Sequence, residues 1–283
     1  MTLEYTQEHL DRGSDRIGLQ IYPEPDGVVD APVVVIFPAM GVRAHYYRPF
    51  AAELRAAGLA VVVADLRGTG TSTPPPSRAS TYGYAELVDD IGAVLDAVKP
   101  RFAGRRRLLL GHSLGGQAAV LHLALTRDAT VDGLVLVAVG MPYWRLYQGG
   151  RRYGVLPYTQ GIVATSALLG VWPGWGFGGR QARGVIRDWG HTARTGRFPV
   201  IGGVDAEAAV PGIDTPVLAV SMDDDQFTPH ETLDHLCAKF GSAPVRRERY
   251  TVAQAGGRLD HFVWVRASAP LATRIATFAE TLT

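Results

Sequence analysis

The stretch Leu108-Leu109-Leu110-Gly111-His112-Ser113-Leu114-Gly115-Gly116 runs from three apolar residues, through a turn-forming pattern, into residues 116–126, which read as a helix. Gly111 to Gly115 matches G-x-S-x-G, a pattern that sets a serine on a sharp turn between a buried strand and a helix. The residues two away on either side must be small, because a side chain there would clash across the turn. The five-residue pattern recurs by chance in glycine-rich chains, and this one has 33 glycines in 283 residues. The apolar run before it and the helical pattern after it are what make it specific. A serine so placed sits at a helix N-terminus, where main-chain N–H groups favour developing negative charge.

Around this turn the chain alternates. Short β-branched or leucine-rich runs at residues 32–37, 59–64, 107–110, 133–139 and 216–220 are apolar without alternation. That is the pattern of strands buried on both faces of a parallel sheet. Helical patterns separate or follow them at 46–57, 84–98, 114–126, 230–240 and 268–282. Strand–helix alternation predicts an α/β fold, a mostly parallel central sheet with helices on both faces. Residues 3–10 and 17–22 predict an antiparallel edge hairpin, and 245–252 a last strand. The alternation breaks at residues 141–210, which hold Trp144, Trp172, Trp175 and Trp189. This segment is expected to be an inserted helical cap or lid, without strands and with helices at 161–169 and 179–193. The expected domains are a core of 1–140 with 211–283, and a cap of 141–210.

A serine at its free pKa is a poor nucleophile and needs a base, which in turn needs an orienting acid. After this kind of elbow the acid and then the histidine follow in chain order. His261 lies in a loop between the last strand and the last helix, and is the expected base. His9, His45 and His191 do not end a late strand, and His122 falls mid-helix. His112 is fixed within the elbow and should point away from the serine. His230 and His235 are five apart, one too many for a zinc-binding helix face, and read as a solvent-facing set. The acid should follow strand 216–220, where Asp223, Asp224 and Asp225 stand together. Asp225 is the first choice, then Asp224 and Asp223.

These features resemble the α/β-hydrolase superfamily over nearly the whole chain. Asp65-Leu66-Arg67-Gly68-Thr69-Gly70-Thr71-Ser72 is similar to that superfamily's D-x-R-G-x-G-x-S turn. The stretch Arg187-Asp188-Trp189 to Arg194-Thr195-Gly196-Arg197 resembles a subgroup of predicted bacterial esterases. The resemblance implies an oxyanion hole of two main-chain N–H groups, one from Leu114 and one from the loop after strand 32–37. That loop usually reads His-Gly-x-Gly and here reads Pro38-Ala39-Met40-Gly41. Met40 is the expected donor, with Ala39 as the alternative. Serine at the elbow argues against the dehalogenases and epoxide hydrolases of this superfamily, which use aspartate there.

The expected activity is hydrolysis of a carboxylic ester, thioester or lactone through an acyl-enzyme. C–C bond hydrolysis or perhydrolysis on the same residues, or ligand binding without turnover, are the rivals. No metal or organic cofactor is expected. The expected partner is a small apolar substrate, contacted by Ala39, Tyr143, Trp144, Trp172, Trp175 and Phe227. The 28 basic and 27 acidic residues nearly cancel, which gives no electrostatic reason to expect nucleic acid. Residues 161–179 are uncharged, but six glycines and a proline argue against stable membrane insertion. One cysteine, Cys237, and an N-terminus without an apolar leader suggest the cytoplasm. Nothing in the sequence indicates an oligomeric state.

Overall fold

The computed structural model describes residues 4–282. The chain opens with β1 (Thr6–Arg12) and β2 (Asp15–Ile21), and continues through β3 (Val33–Phe37), α1 (Arg48–Ala56), β4 (Ala60–Ala64) and α2 (Tyr84–Val98). β5 (Arg107–His112), α3 (Leu114–Thr126) and β6 (Gly133–Val137) follow. Next comes a segment holding α4 (Arg151–Leu169), β7 (Val171–Trp172), β8 (Gln181–Ala182), α5 (Arg183–Thr195), β9 (Val200–Ile201), β10 (Val204–Asp205) and α6 (Ala206–Ala209). The chain then returns to β11 (Val217–Met222), α7 (His230–Cys237), β12 (Val245–Tyr250), α8 (Val252–Ala255) and α9 (Ala269–Thr281).

Eight strands form one sheet in the order β1-β2-β4-β3-β5-β6-β11-β12. From β4 to β12 neighbouring strands are parallel, while β1–β2 and β2–β4 are antiparallel. The α/β fold expected from the sequence is therefore the observed one. Its edge hairpin spans Thr6–Ile21, and residue 3 of the predicted strand lies outside the described residues.

Every residue of β3, β4, β5, β6 and β11 is buried. Successive side chains serve opposite layers: Val33, Val35 and Phe37 join the core under α2 and α3, while Val34 and Ile36 join the core under α1 and α9. This explains why those strands lack a polar face. The outermost β12, Val-Arg-Arg-Glu-Arg-Tyr, carries charges that discourage a further strand from pairing.

The segment between β6 and β11 departs from expectation in two ways. It contains two short antiparallel pairs, β7 with β8 and β9 with β10, where no strand was predicted. Two-residue strands are too short to leave a periodic signal. Helix α4 begins at Arg151, before the predicted 161, and runs through Pro157. The proline has no N–H for the Tyr153 carbonyl, and Tyr153 is exposed, so water can serve that oxygen. Among the described residues no helix is long and apolar enough to cross a membrane.

Two features dock this segment against the start of α2. The Asp188 carboxylate on α5 accepts the Tyr84 main-chain N–H at 2.9 Å, serving a free donor in the first turn of α2. Gly184 lets α5 approach the 81–82 main chain, where a Cβ would collide with the Thr81 and Tyr82 carbonyls.

Candidate active site

Ser113 sits between β5 and α3 with φ 52° and ψ −116°. Such a conformation is costly for a residue with a side chain, and persists only where the surroundings enforce it. Here they do. The Gly115 N–H bonds the Pro38 carbonyl at 3.1 Å, and β5 hydrogen-bonds β3 and β6 on its two sides. Gly111 and Gly115 give the turn its room, since a Cβ at either would overlap the Gly116 main chain or the Phe37 carbonyl. His112 and Leu114 are buried, while Ser113 is half-buried and faces a cavity.

His261 and Asp225 meet across 36 residues of sequence, with Nδ1 and Oδ2 2.7 Å apart. Asp225 is saturated with donors. Its Oδ1 accepts the main-chain N–H groups of Phe227 and Thr228, each at 2.8 Å, and its Oδ2 accepts the Thr228 hydroxyl at 2.6 Å. Burial alone would raise the carboxyl pKa, but the His261 charge and these hydrogen bonds outweigh it and hold Asp225 below the usual carboxylate range. Asp223 instead binds Arg249 and the Val252 N–H, and Asp224 is exposed. Of the three neighbours, Asp225 alone is brought to the histidine.

The loop after β3 is tied down from behind. The Ala39 N–H donates to the Tyr47 hydroxyl at 2.9 Å, and that hydroxyl lies 2.7 Å from His112 Nδ1. A hydroxyl has one proton, so Tyr47 accepts from Ala39 and donates to His112. Burial, followed by the nearby His261 charge, pushes the His112 pKa well below the usual histidine value, so the ring stays neutral. Among the described residues, neither the Met40 nor the Leu114 N–H has a protein acceptor, and both residues line the cavity with Ser113 and His261. Ala39 also lines it, but with its N–H already engaged.

The cavity has a volume of about 200 Å³. Of the aromatic residues expected to line it, Phe227 does; Tyr143, Trp144, Trp172 and Trp175 do not. Their rings are used elsewhere. Trp172 is buried and its Nε1 donates to the Phe177 carbonyl at 2.8 Å, while Trp175 packs on its edge and is 66% exposed. Tyr143 lies against Gly196 and His235, and Trp144 sits under the Arg145 guanidinium. The lining rings that sequence reasoning missed are Tyr147, Tyr158, Phe177, Trp189 and Phe262. Trp189 was already among the tryptophans of residues 141–210, Phe262 adjoins His261, and Gln117, which also lines the cavity, lies on α3 one helical turn beyond Ser113. Tyr158 and Phe177 carried no signal.

Two other histidines are placed differently from one another. His122 is buried with Nε2 3.1 Å from Asp128, a structural contact. His235 is not solvent-facing as predicted: its Nε2 lies 2.9 Å from the Gly196 carbonyl, because the end of α5 folds against α7.

Comparison with known proteins agrees with this architecture. The family model described as serine aminopeptidase, S33 (Hydrolase_4), matches residues 30–177. The provisionally assigned carbamate hydrolase RutD of Variovorax paradoxus (strain S110) is 35% identical over 119 residues, 42% of this chain and 42% of the relative. Phospholipase YtpA of Bacillus subtilis (strain 168) is 32% identical over 109 residues, 38% and 40% of the two chains. The chain thus matches about two fifths of the length of these curated relatives. In fold, Est1E of Butyrivibrio proteoclasticus, solved with ferulic acid bound, superimposes with a TM-score of 0.67 at 17% identity, over 96% of this chain and 99% of that one. A family match across more than half of the chain, on a sheet of this order with a serine elbow after β5, makes the protein a member of the serine aminopeptidase S33 family with the α/β-hydrolase fold.

Proposed function

We propose that the chain is a serine hydrolase that cleaves a carboxylic ester, thioester or lactone through an acyl-enzyme on Ser113. The observation that carries this reading is the 2.7 Å contact of Asp225 with His261 Nδ1, with His261 and Ser113 on the wall of one cavity. With Nδ1–H donating to the Asp225 carboxylate, the Nε2 lone pair is free to take a proton. His261 removes the Ser113 proton as Oγ attacks the carbonyl carbon. It then protonates the leaving group as the tetrahedral intermediate collapses. Water, deprotonated by the same nitrogen, resolves the acyl-enzyme and regenerates Ser113. Asp225 stabilises the imidazolium that forms in each half of the cycle.

The oxyanion of each intermediate is received by the Met40 and Leu114 N–H groups, neither of which has a protein acceptor among the described residues. Removing one such donor elsewhere costs about 3 kcal/mol of transition-state stabilisation. The usual first glycine of the oxyanion loop is dispensable here because Tyr47 fixes the loop through the Ala39 N–H. Residues 141–210 act as the cap, with Tyr147, Arg151, Val155, Tyr158, Phe177 and Trp189 among its share of the substrate pocket.

The test is labelling with a fluorophosphonate. Wild-type protein is expected to be labelled, and Ser113→Ala is expected to show no labelling while keeping its circular dichroism spectrum. Undiminished labelling of Ser113→Ala would place the nucleophile elsewhere and sink this assignment.

A further inference from the structure

Among the described residues lining the cavity, Arg151 is the one permanently charged side chain, and none is Asp or Glu. Arg151 is the first residue of α4 and is held on two sides. Its Nη2 donates to the Gln226 carbonyl at 2.5 Å, and its guanidinium carbon lies 5.7 Å from the centre of the Tyr147 ring. Tyr147 is itself buried and fixed, donating its hydroxyl to the Phe227 carbonyl at 2.6 Å. The cation is therefore anchored to the loop that carries Asp225 and Thr228, on groups with no formal charge. Among the described residues no carboxylate pairs with it, whereas Arg67, Arg187 and Arg249 each pair with an aspartate.

The walls around it are apolar: Met40, Leu114, Val155, Phe177 and Trp189. A fixed cation beside low-dielectric walls attracts an anion more strongly than it would in open water, and guanidinium geometry suits a carboxylate. An ammonium group in the same place would face a like charge, with no carboxylate on the wall to offset it. The family description names aminopeptidases, whose substrates carry a free α-ammonium, and this cavity has the opposite polarity.

We infer that Arg151 determines specificity by binding a carboxylate on the substrate, at the end remote from the scissile carbonyl. The preferred substrates are then half-esters of small dicarboxylic acids, or the corresponding thioesters, and substrates bearing an ammonium group are disfavoured. This inference rests on the serine-hydrolase reading above.

Three aryl esters of equal acyl chain length test it: 4-nitrophenyl hexanoate, the 4-nitrophenyl half-ester of adipic acid, and 4-nitrophenyl 6-aminohexanoate. Wild-type kcat/KM is expected to rank the half-ester first and the aminohexanoate last. Arg151→Gln should lower the half-ester to hexanoate ratio about tenfold, mainly through KM, the size expected for one charge-assisted hydrogen bond at a partly exposed site. Arg151→Lys should restore part of the ratio and Arg151→Glu should invert the ranking. Raising the salt concentration should narrow the wild-type preference, because the site is open to solvent. A ratio that is the same in wild type and Arg151→Gln, or a wild-type preference for the aminohexanoate, overturns the inference. Loss of hexanoate hydrolysis in Ser113→Ala tests the parent reading separately, so the two can fail independently.

Discussion

The sheet side of the cavity and the side contributed by the β6–β11 segment are built by different means. On the sheet side, Ser113 follows β5 and Asp225 follows β11, and Asp225 receives four hydrogen bonds of 2.6–2.8 Å. On the other side, Phe177 comes from a glycine-rich loop and Trp189 from α5, and they meet as rings 4.8 Å apart. Ser113 is fixed by its strained turn just after a buried strand, and His261 and Asp225 by directional bonds, where a misplacement of 1 Å is costly. The Phe177 and Trp189 rings are fixed by packing, which tolerates exchange of one apolar side chain for another. One side of the cavity is thus suited to a constant chemistry and the other to a changeable specificity.

The contrast is broken or sharpened by three substitutions. The largest effect is expected from Asp225→Asn, which turns a carboxylate into an amide beside His261 Nδ1 and favours the wrong tautomer. Hydrolysis of a neutral aryl ester should fall about 10⁴-fold in kcat with KM little changed. A variant within tenfold of wild type would show that the His261–Asp225 contact is only structural. The same residue predicts a pH dependence of stability. Its folded-state pKa lies below the ordinary 3.8, so the unfolded chain binds the proton more readily. Its stabilising contribution is complete above about pH 5 and is lost as the pH falls through that value and on to the depressed folded pKa. Urea unfolding followed across this range should show wild type losing stability relative to Asp225→Asn as acid is added. Parallel curves would contradict the depressed pKa.

An intermediate effect is expected from Tyr47→Phe. Removing one hydroxyl leaves the Ala39 N–H and His112 Nδ1 buried without their partner. The expected loss is about 1–3 kcal/mol of stability. If the hydroxyl also fixes the loop that presents Met40, kcat should drop several-fold at constant KM. A fall in stability alone would assign Tyr47 to the core and remove it from the account of the oxyanion loop.

The smallest effect is expected from Asp188→Ala, which frees the Tyr84 N–H at the start of α2. Loss of such a helix-terminal acceptor costs about 1 kcal/mol. Because Asp188 ties α5 to the start of α2 and its neighbour Trp189 lines the cavity, KM should rise more than kcat falls. Equal changes in both, measured on the neutral ester, would mean that the β6–β11 segment helps to place the reacting groups as well as the substrate.

Much of the fold was legible because its signals are local. The runs at β3, β4 and β6 are continuous apolar segments since both sheet faces are covered, and the ends of α2 and α3 coincide with the predicted 84–98 and 114–126. The Gly-His-Ser-Leu-Gly pattern announced the turn because only small flanking residues permit it. The β6–β11 segment was less legible. Its helix α4 crosses a proline that ordinarily ends a helix, and its strands are too short for periodicity to register. Its tryptophans looked alike in sequence, yet Trp189 lines the cavity while Trp172 anchors a loop and Trp175 lies in solvent.

By itself, then, the sequence determined the order of the core strands and the longer helices between them, the strained turn at Ser113 and the candidates for its partners. Those follow from side-chain periodicity and from steric limits on a few consecutive residues. Only the tertiary structure decided which of Asp223, Asp224 and Asp225 meets His261, that the Ala39 N–H is spent on Tyr47, and that Arg151 faces the cavity. Each of these depends on contacts between residues far apart in the chain, and short-range pattern carries no record of where such distant groups will meet.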